Sequence, residues 1–181
     1  MTRLAAVLAP ILLFLYGVLR LVDGRDGDHG PGLAWNVGHT LFFAAFMLLA
    51  LLTLGLRRLV ADGATPARQA VSTAATAVAS FGIGCFLWVI AGDLFEAVPD
   101  LPDAVQLVGP LTFQLGTLVL MGQLVAVRRL PVWSPVLLVA GFVLIAVNLD
   151  LLPLAALVIL GALAPLARPA RPAVADASSC G

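Results

Sequence analysis

Apolar residues fill most of the chain in long blocks that short polar connections separate. A helix needs roughly 20 residues to cross a hydrocarbon layer about 30 Å thick, and the first four blocks have that length. The last block is too long for one span, and it is divided by "VNLDLLP", where Asn148, Asp150 and Pro153 are turn signals. The pattern predicts an all-α bundle of six transmembrane helices: Leu4–Val22, Trp35–Leu56, Ala70–Val98, Ala104–Val127 and two within Leu130–Ala167.

Composition supports a membrane protein. The chain is 61% hydrophobic and 11% charged, with a mean hydropathy of +1.07. A soluble domain is nearer half apolar and a quarter charged. The formal net charge is zero, so no nucleic-acid partner is predicted. We expect the lipid bilayer to be the main partner, with a further membrane protein or a second copy as the other possibility.

The arginines indicate the orientation of the six spans. The positive-inside rule assigns the arginine-rich side to the cytoplasm. With six spans, the termini and two connections place these residues on one side: Arg3, Arg57, Arg58, Arg68, Arg128, Arg129, Arg168 and Arg171. The other side receives most of the acids, with Arg20 and Arg25. The bias predicts an inner-membrane protein with both termini cytoplasmic.

The runner-up is five spans plus a re-entrant segment, and it would send Arg168 and Arg171 to the outer side. Six spans are therefore preferred. They form a transmembrane domain over residues 1–167. The segment that follows, 168–181, is rich in proline and alanine and is predicted to be a disordered cytoplasmic tail.

Small and polar residues within the spans indicate how the helices pack. Thr76, Ser80 and Gly84 recur every four residues in the third span, which allows close approach of a neighbouring helix. The third span is therefore predicted to be central to the bundle. Gln114 lies near the middle of the fourth span, where its amide needs a partner on another helix.

Motifs for catalysis or for cofactor binding are missing from the sequence. The chain has two histidines, His29 and His39, and no phosphate-binding glycine loop or hydrolase nucleophile motif. A metal site needs several converging ligands, so neither a metal nor a cofactor is predicted.

Polar residues do accumulate at the predicted outer ends of the spans. If these side chains face inward, they form a polar cup open to the outside. The predicted members are Arg20, Asn36, His39, Asp93, Glu96, Gln106, Asn148 and Asp150.

The sequence "GDLFEAV" places Asp93 and Glu96 at the end of the third span. Carboxylates are disfavoured at a helix C-terminus, and a spacing of three residues brings the two charges together. A nearby cation would offset both costs. Arg20 is the leading candidate and His39 the second. The alternative is an ordinary solvated helix exit, because the span already exceeds the hydrocarbon thickness there.

The stretch "GTLVLMGQLVAVRRLPVWSPVLLVAGFVLIAV" resembles a pattern in small, uncharacterised integral membrane proteins of GC-rich bacteria. In those proteins one span ends in arginine, and Leu-Pro, a tryptophan and the next span follow. The resemblance implies a multi-span inner-membrane protein and implies no activity.

Three functions fit the sequence. The first is a non-enzymatic membrane component, such as a partner or sensor subunit, because the connections are short and no catalytic constellation is present. The second is a small transporter or proton-coupled carrier that uses the polar cup. The third is a membrane enzyme in which His39 acts with Asp93, Glu96 or Asp150, and it requires these side chains to converge.

Overall fold

A computed structural model describes residues 1–26, 32–95 and 97–168 of the chain, and only the backbone of Asp26. Glu96 and the tail beyond Arg168 lie outside the described residues. The predictions made for them therefore stay predictions.

The described residues form six α-helices and no strand, which confirms the all-α prediction. Four helices and the segment Leu149–Ala167 are long and apolar enough to cross a membrane, and the fifth helix is apolar but has only 15 residues. The helices are α1 Thr2–Asp23, α2 Leu33–Ala61, α3 Pro66–Leu94, α4 Asp103–Ala126, α5 Trp133–Val147 and α6 Leu152–Ala167, with 3-10 turns at Gly24–Asp26 and Leu149–Leu151.

Contacts at its two ends show that α5 runs the length of the bundle. Just before α5, Arg129 donates a hydrogen bond to the carbonyl of Leu59 near the end of α2. Just after α5, Asp150 lies beside Arg20 near the end of α1. A re-entrant segment would return to the side from which it started, and α5 does not. We call the end that holds Arg3, Arg129 and Arg168 the arginine-rich end, and the end that holds Asp23, Asp93 and Asp150 the acidic end.

Local sequence signals set several helix boundaries. The Thr65 side chain accepts a hydrogen bond from the backbone N–H of Arg68, and Pro66 occupies the first turn of α3. Asn148 accepts a hydrogen bond from the backbone N–H of Asp150 and so starts the turn between α5 and α6. The predicted break in the last apolar block is therefore a short 3-10 turn.

Five of the helices form a ring. A small apolar cavity of about 10 Å³ lies at its centre, and each helix of the ring contributes to the lining. Examples are Leu13 of α1, Leu52 of α2, Phe113 of α4, Leu138 of α5 and Leu163 of α6. In contrast, α3 packs outside the ring against α2 and α4. The prediction that the third span is central is therefore wrong.

Glycines bring the backbones of α3 and α4 into direct contact. A Cβ atom at Gly82 would overlap the backbone of Gly109 and Phe113, and one at Gly116 would overlap the carbonyl oxygen of Ala75. Such close approach favours helix association where the surroundings are as apolar as the side chains. This contact holds α3 on the outside of the ring.

The predicted packing stripe on α3 is only partly correct. Thr76 is buried, but Ser80 and Gly84 are exposed, and a Cβ atom at Gly84 would meet nothing within 4 Å. An α-helix turns about 100° per residue, so each four-residue step drifts about 40° around the axis. The observed contact face instead combines steps of three and four, from Ala75 through Ala79 to Gly82.

Polar side chains in the middle of the helices bond mainly to their own backbone. The Thr53 hydroxyl donates to the carbonyl of Leu49, four residues earlier in the same helix. Gln114 was predicted to bond to another helix, but it is half-buried and forms no hydrogen bond with any other described residue. It lies on the flank of α4, beside the face that the buried Phe113 and Thr117 turn inward.

Two glycine-to-alanine variants test the α3–α4 contact. Gly82→Ala forces the two backbones apart, and we expect it to lower the free energy of unfolding by about 1–3 kcal/mol, as overpacking typically does. Gly84→Ala adds the same methyl group to the same helix in open space. The higher helix propensity of alanine should therefore stabilise this variant by up to about 1 kcal/mol. Unfolding in detergent micelles measures both. Equal stability of the two variants would contradict the described contact.

Candidate functional site

Four of the predicted cup residues approach one another at the acidic end. They form two pairs, His39 with Asp93 and Arg20 with Asp150. Arg20 and His39 also line one small cavity, which links the two pairs. The site therefore joins α1, α2, the end of α3 and the turn before α6.

His39 is the most buried member of this cluster, with 3% of its surface exposed. It lies two turns into α2, where its ring is 4.0 Å from the ring of Trp35 and 5.2 Å from that of Tyr16, between centroids. Its Nδ1 is 2.9 Å from the backbone carbonyl oxygen of Trp35. A carbonyl oxygen only accepts hydrogen bonds, so Nδ1 carries a proton in this contact.

The other ring nitrogen of His39 faces Asp93. Nε2 lies 3.4 Å from Oδ2 of Asp93, whose side chain is 38% exposed. An ionised carboxylate also only accepts, so both nitrogens of His39 point at acceptors. At 3.4 Å this contact is longer than a typical N–H···O hydrogen bond.

Trp35 connects the same two helices through the backbone. Its indole Nε1–H donates to the carbonyl oxygen of Asp93 at 3.2 Å. Asp93 lies in the last turn of α3, where carbonyl groups have no partner within the helix. The side chain of Trp35 thus satisfies one of these groups and fixes the end of α3 against α2.

Among the described residues, Arg20 pairs with Asp150 and not with Asp93, one of the two acids for which it was predicted. Its Nε lies 3.9 Å from Oδ1 of Asp150, and His39, the second candidate, is the partner of Asp93. The reason is the position of α3 outside the ring. Helix α1 packs against α2 and α6 and makes no contact with α3 among the described residues. The turn before α6 therefore brings Asp150 to Arg20.

The remaining predicted cup residues serve local structure. Asn36 is exposed, and its carbonyl accepts from the hydroxyl of Thr40. The Gln106 side chain donates to the carbonyl of Leu101 before α4. Asn148 caps the turn that holds Asp150. Asn36 and Gln106 form no described hydrogen bond with either pair, and Asn148 bonds only to the backbone N–H of Asp150.

Little space remains beside the paired side chains. The cavity next to His39 and Arg20 has a volume of about 10 Å³, which is close to the minimum for one water molecule. A second cavity of about 110 Å³ lies between Asp93, Asp100 and Gln106. Pockets for small-molecule ligands usually measure about 300–1,000 Å³. The cavities described among these residues are therefore smaller than a ligand pocket.

Sequence reasoning missed three members of the cluster: Tyr16, Asp23 and Trp35. All three line the small cavity with Arg20 and His39. Their spacing in the sequence from Arg20 and His39 could have indicated that they belong to the cluster. Tyr16 precedes Arg20 by four residues, Asp23 follows it by three, and Trp35 precedes His39 by four, so each shares a helix face with a predicted residue.

The described part of the chain holds no group of three or more His, Cys, Asp or Glu side chains that could bind a metal ion. Comparison of the chain with family models, curated proteins and solved structures gave no significant match.

Double-mutant cycles distinguish the two pairs. We expect a coupling energy of about 1–3 kcal/mol between His39 and Asp93, because His39 is buried. His39→Phe and Asp93→Asn suit this cycle, since phenylalanine keeps a ring between Trp35 and Tyr16. Arg20→Gln with Asp150→Asn should give less than about 1 kcal/mol, because that contact is longer and Asp150 is more exposed.

The measurement is the free energy of unfolding in mixed micelles. A coupling at Arg20–Asp150 that equals or exceeds the one at His39–Asp93 would show that burial does not decide the strength of these contacts.

Proposed function

We propose that this chain is a multi-pass protein of the cytoplasmic membrane, with its arginine-rich end and both termini on the cytoplasmic side. We further propose that it acts there as a non-enzymatic component, a partner or sensor subunit that works with another membrane protein or a second copy. Five helices of sufficient length and apolar character support insertion, and the grouping of Arg3, Arg129 and Arg168 at one end supports the orientation.

The observation that carries the non-enzymatic role is the small space beside the polar side chains of the acidic end. His39 Nε2 lies 3.4 Å from Asp93, Arg20 Nε lies 3.9 Å from Asp150, and the cavity beside them is close to the minimum for one water molecule. These contacts tie the ring to α3 and to the α5–α6 turn. A membrane enzyme using His39 with Asp93 meets the distance requirement, yet it lacks space for a substrate beside them.

A proton-coupled carrier is the second candidate. The proximity of His39 and Asp93 favours it, because ionisable pairs within a helical bundle are typical of proton relays. The carrier differs from the first proposal in one respect. It requires the pair to exchange its proton with both sides of the membrane, whereas a structural pair does not.

Reconstitution of Asp93→Asn into liposomes separates the two candidates. For the non-enzymatic component, we expect wild-type and variant liposomes to take up protons at equal rates, since Asp93 then only holds helices together. The variant protein should unfold more easily. A pH-sensitive dye inside the liposomes reports uptake, and micelle unfolding reports stability.

Asp103→Asn is the matched control, because it removes the same charge from an exposed position at the same end. Proton uptake that Asp93→Asn abolishes and Asp103→Asn preserves, at unchanged stability, would establish the carrier instead. A strictly monomeric protein that retains no partner after mild detergent extraction would weigh against the subunit role.

A further inference from the structure

The arginine-rich end holds another cavity, which is much larger than the two described at the acidic end. It is an open cleft with a volume of about 780 Å³, which lies within the range of ligand pockets. Four helices of the ring reach it. Its walls include three arginines and a set of apolar residues: Arg3, Arg129 and Arg168 with Leu59, Leu124 and Leu166.

The backbone at the end of α4 directs Arg129 into this cleft. Arg128 has a φ of 57°, a left-handed conformation that costs most residues other than glycine about 1 kcal/mol or more. The N–H of Arg128 bonds to the carbonyl of Val125, and that of Arg129 to the carbonyl of Leu124. This Schellman turn reverses the chain so that Arg129 points back toward the end of α2.

One hydrogen bond holds the Arg129 guanidinium near the end of α2. Nη1 donates to the carbonyl of Leu59 at 2.7 Å. The same nitrogen lies 4.0 Å from a carboxylate oxygen of Asp62, but Asp62 is 82% exposed, so this ion pair is weak. Among the described residues no other hydrogen bond engages the guanidinium, which has five N–H donors in all.

The composition of the walls indicates a ligand that is both anionic and apolar. Three guanidinium groups favour a phosphate, which arginine can bind through two parallel hydrogen bonds. A free inorganic anion would gain nothing from Leu59, Leu124 and Leu166. In the proposed membrane location, on which this inference rests, the cleft opens where apolar helices end, at the depth where lipid headgroups meet acyl chains. Basic pockets between helices at that depth bind anionic headgroups.

We propose that this cleft binds the phosphodiester headgroup of an anionic phospholipid. The arginines Arg3, Arg129 and Arg168 contact the phosphate, and the leucines contact the first carbons of the lipid. The site is independent of the acidic end, so it stands whether the protein is a subunit or a carrier.

Two triple variants with equal changes in charge test the site. Arg3→Gln/Arg129→Gln/Arg168→Gln removes the arginines of the cleft. Arg57→Gln/Arg58→Gln/Arg68→Gln removes three arginines from the same end that do not line it. A third variant, Arg3→Gln/Arg168→Gln, keeps the Arg129–Leu59 bond and so covers the case in which the cleft triple fails to fold.

The measurement is the thermal unfolding of the full chain in non-ionic detergent during titration with phosphatidylglycerol. Binding to the folded state raises the melting temperature. We expect the concentration of phosphatidylglycerol at half-maximal shift to rise at least about tenfold in the cleft variants, equivalent to about 1.4 kcal/mol. It should change less than about twofold in the control triple.

Phosphatidylcholine and glycerol 3-phosphate are titrated separately as control ligands. Neither should match phosphatidylglycerol with the wild-type protein, since the first carries no net negative charge and the second has no acyl chain. An equal loss in the control triple would show general surface attraction and overturn the site. An equal response to phosphatidylcholine, an equal response to glycerol 3-phosphate, or no response of the wild-type protein to phosphatidylglycerol would overturn the lipid assignment.

Discussion

The bundle depends on close contact between helix backbones at positions where glycine faces a neighbour. Most outward-facing side chains are apolar. In a lipid environment, burial of apolar surface therefore contributes little to the association of these helices. Van der Waals contact between the helices has to hold them together instead, and this attraction grows as the backbones approach. Gly82 and Gly116 provide this between α3 and α4, Gly141 between α5 and α6, and Gly17 where α1 meets Pro153 at the start of α6.

The polar contacts at the acidic end follow from that packing. Because α3 is held against α2 and α4, its last turn ends beside the first turns of α2, where Trp35 and His39 meet Asp93. Because α1 packs against α6, the turn before α6 brings Asp150 to Arg20. The two polar pairs therefore belong to two different helix contacts. A shift of α3 would change only the first pair.

The number of helices and the end of the bundle at which each described polar residue lies could be predicted from the sequence, because both come from counting along one helix. The partner of each polar side chain could not be predicted. Arg20 and Asp93 were placed at matching depth, yet which helices are neighbours depends on contacts between residues far apart in the chain. The stripe on α3 failed for a related reason. Ser80 and Gly84 are small, as a contact face requires, but small residues surround this helix on several sides.

The length of α5 has a consequence for any bilayer that surrounds the protein. Fifteen residues rise about 22 Å, while hydrocarbon layers average about 30 Å. In a membrane, lipids beside α5 must shorten, or their headgroups must be drawn inward along it. Each ångström of this mismatch costs a fraction of a kcal/mol. In a membrane, the side of the protein that carries α5 would therefore favour thinner surrounding lipid than the side that carries α2 and α3, each of which has 29 residues.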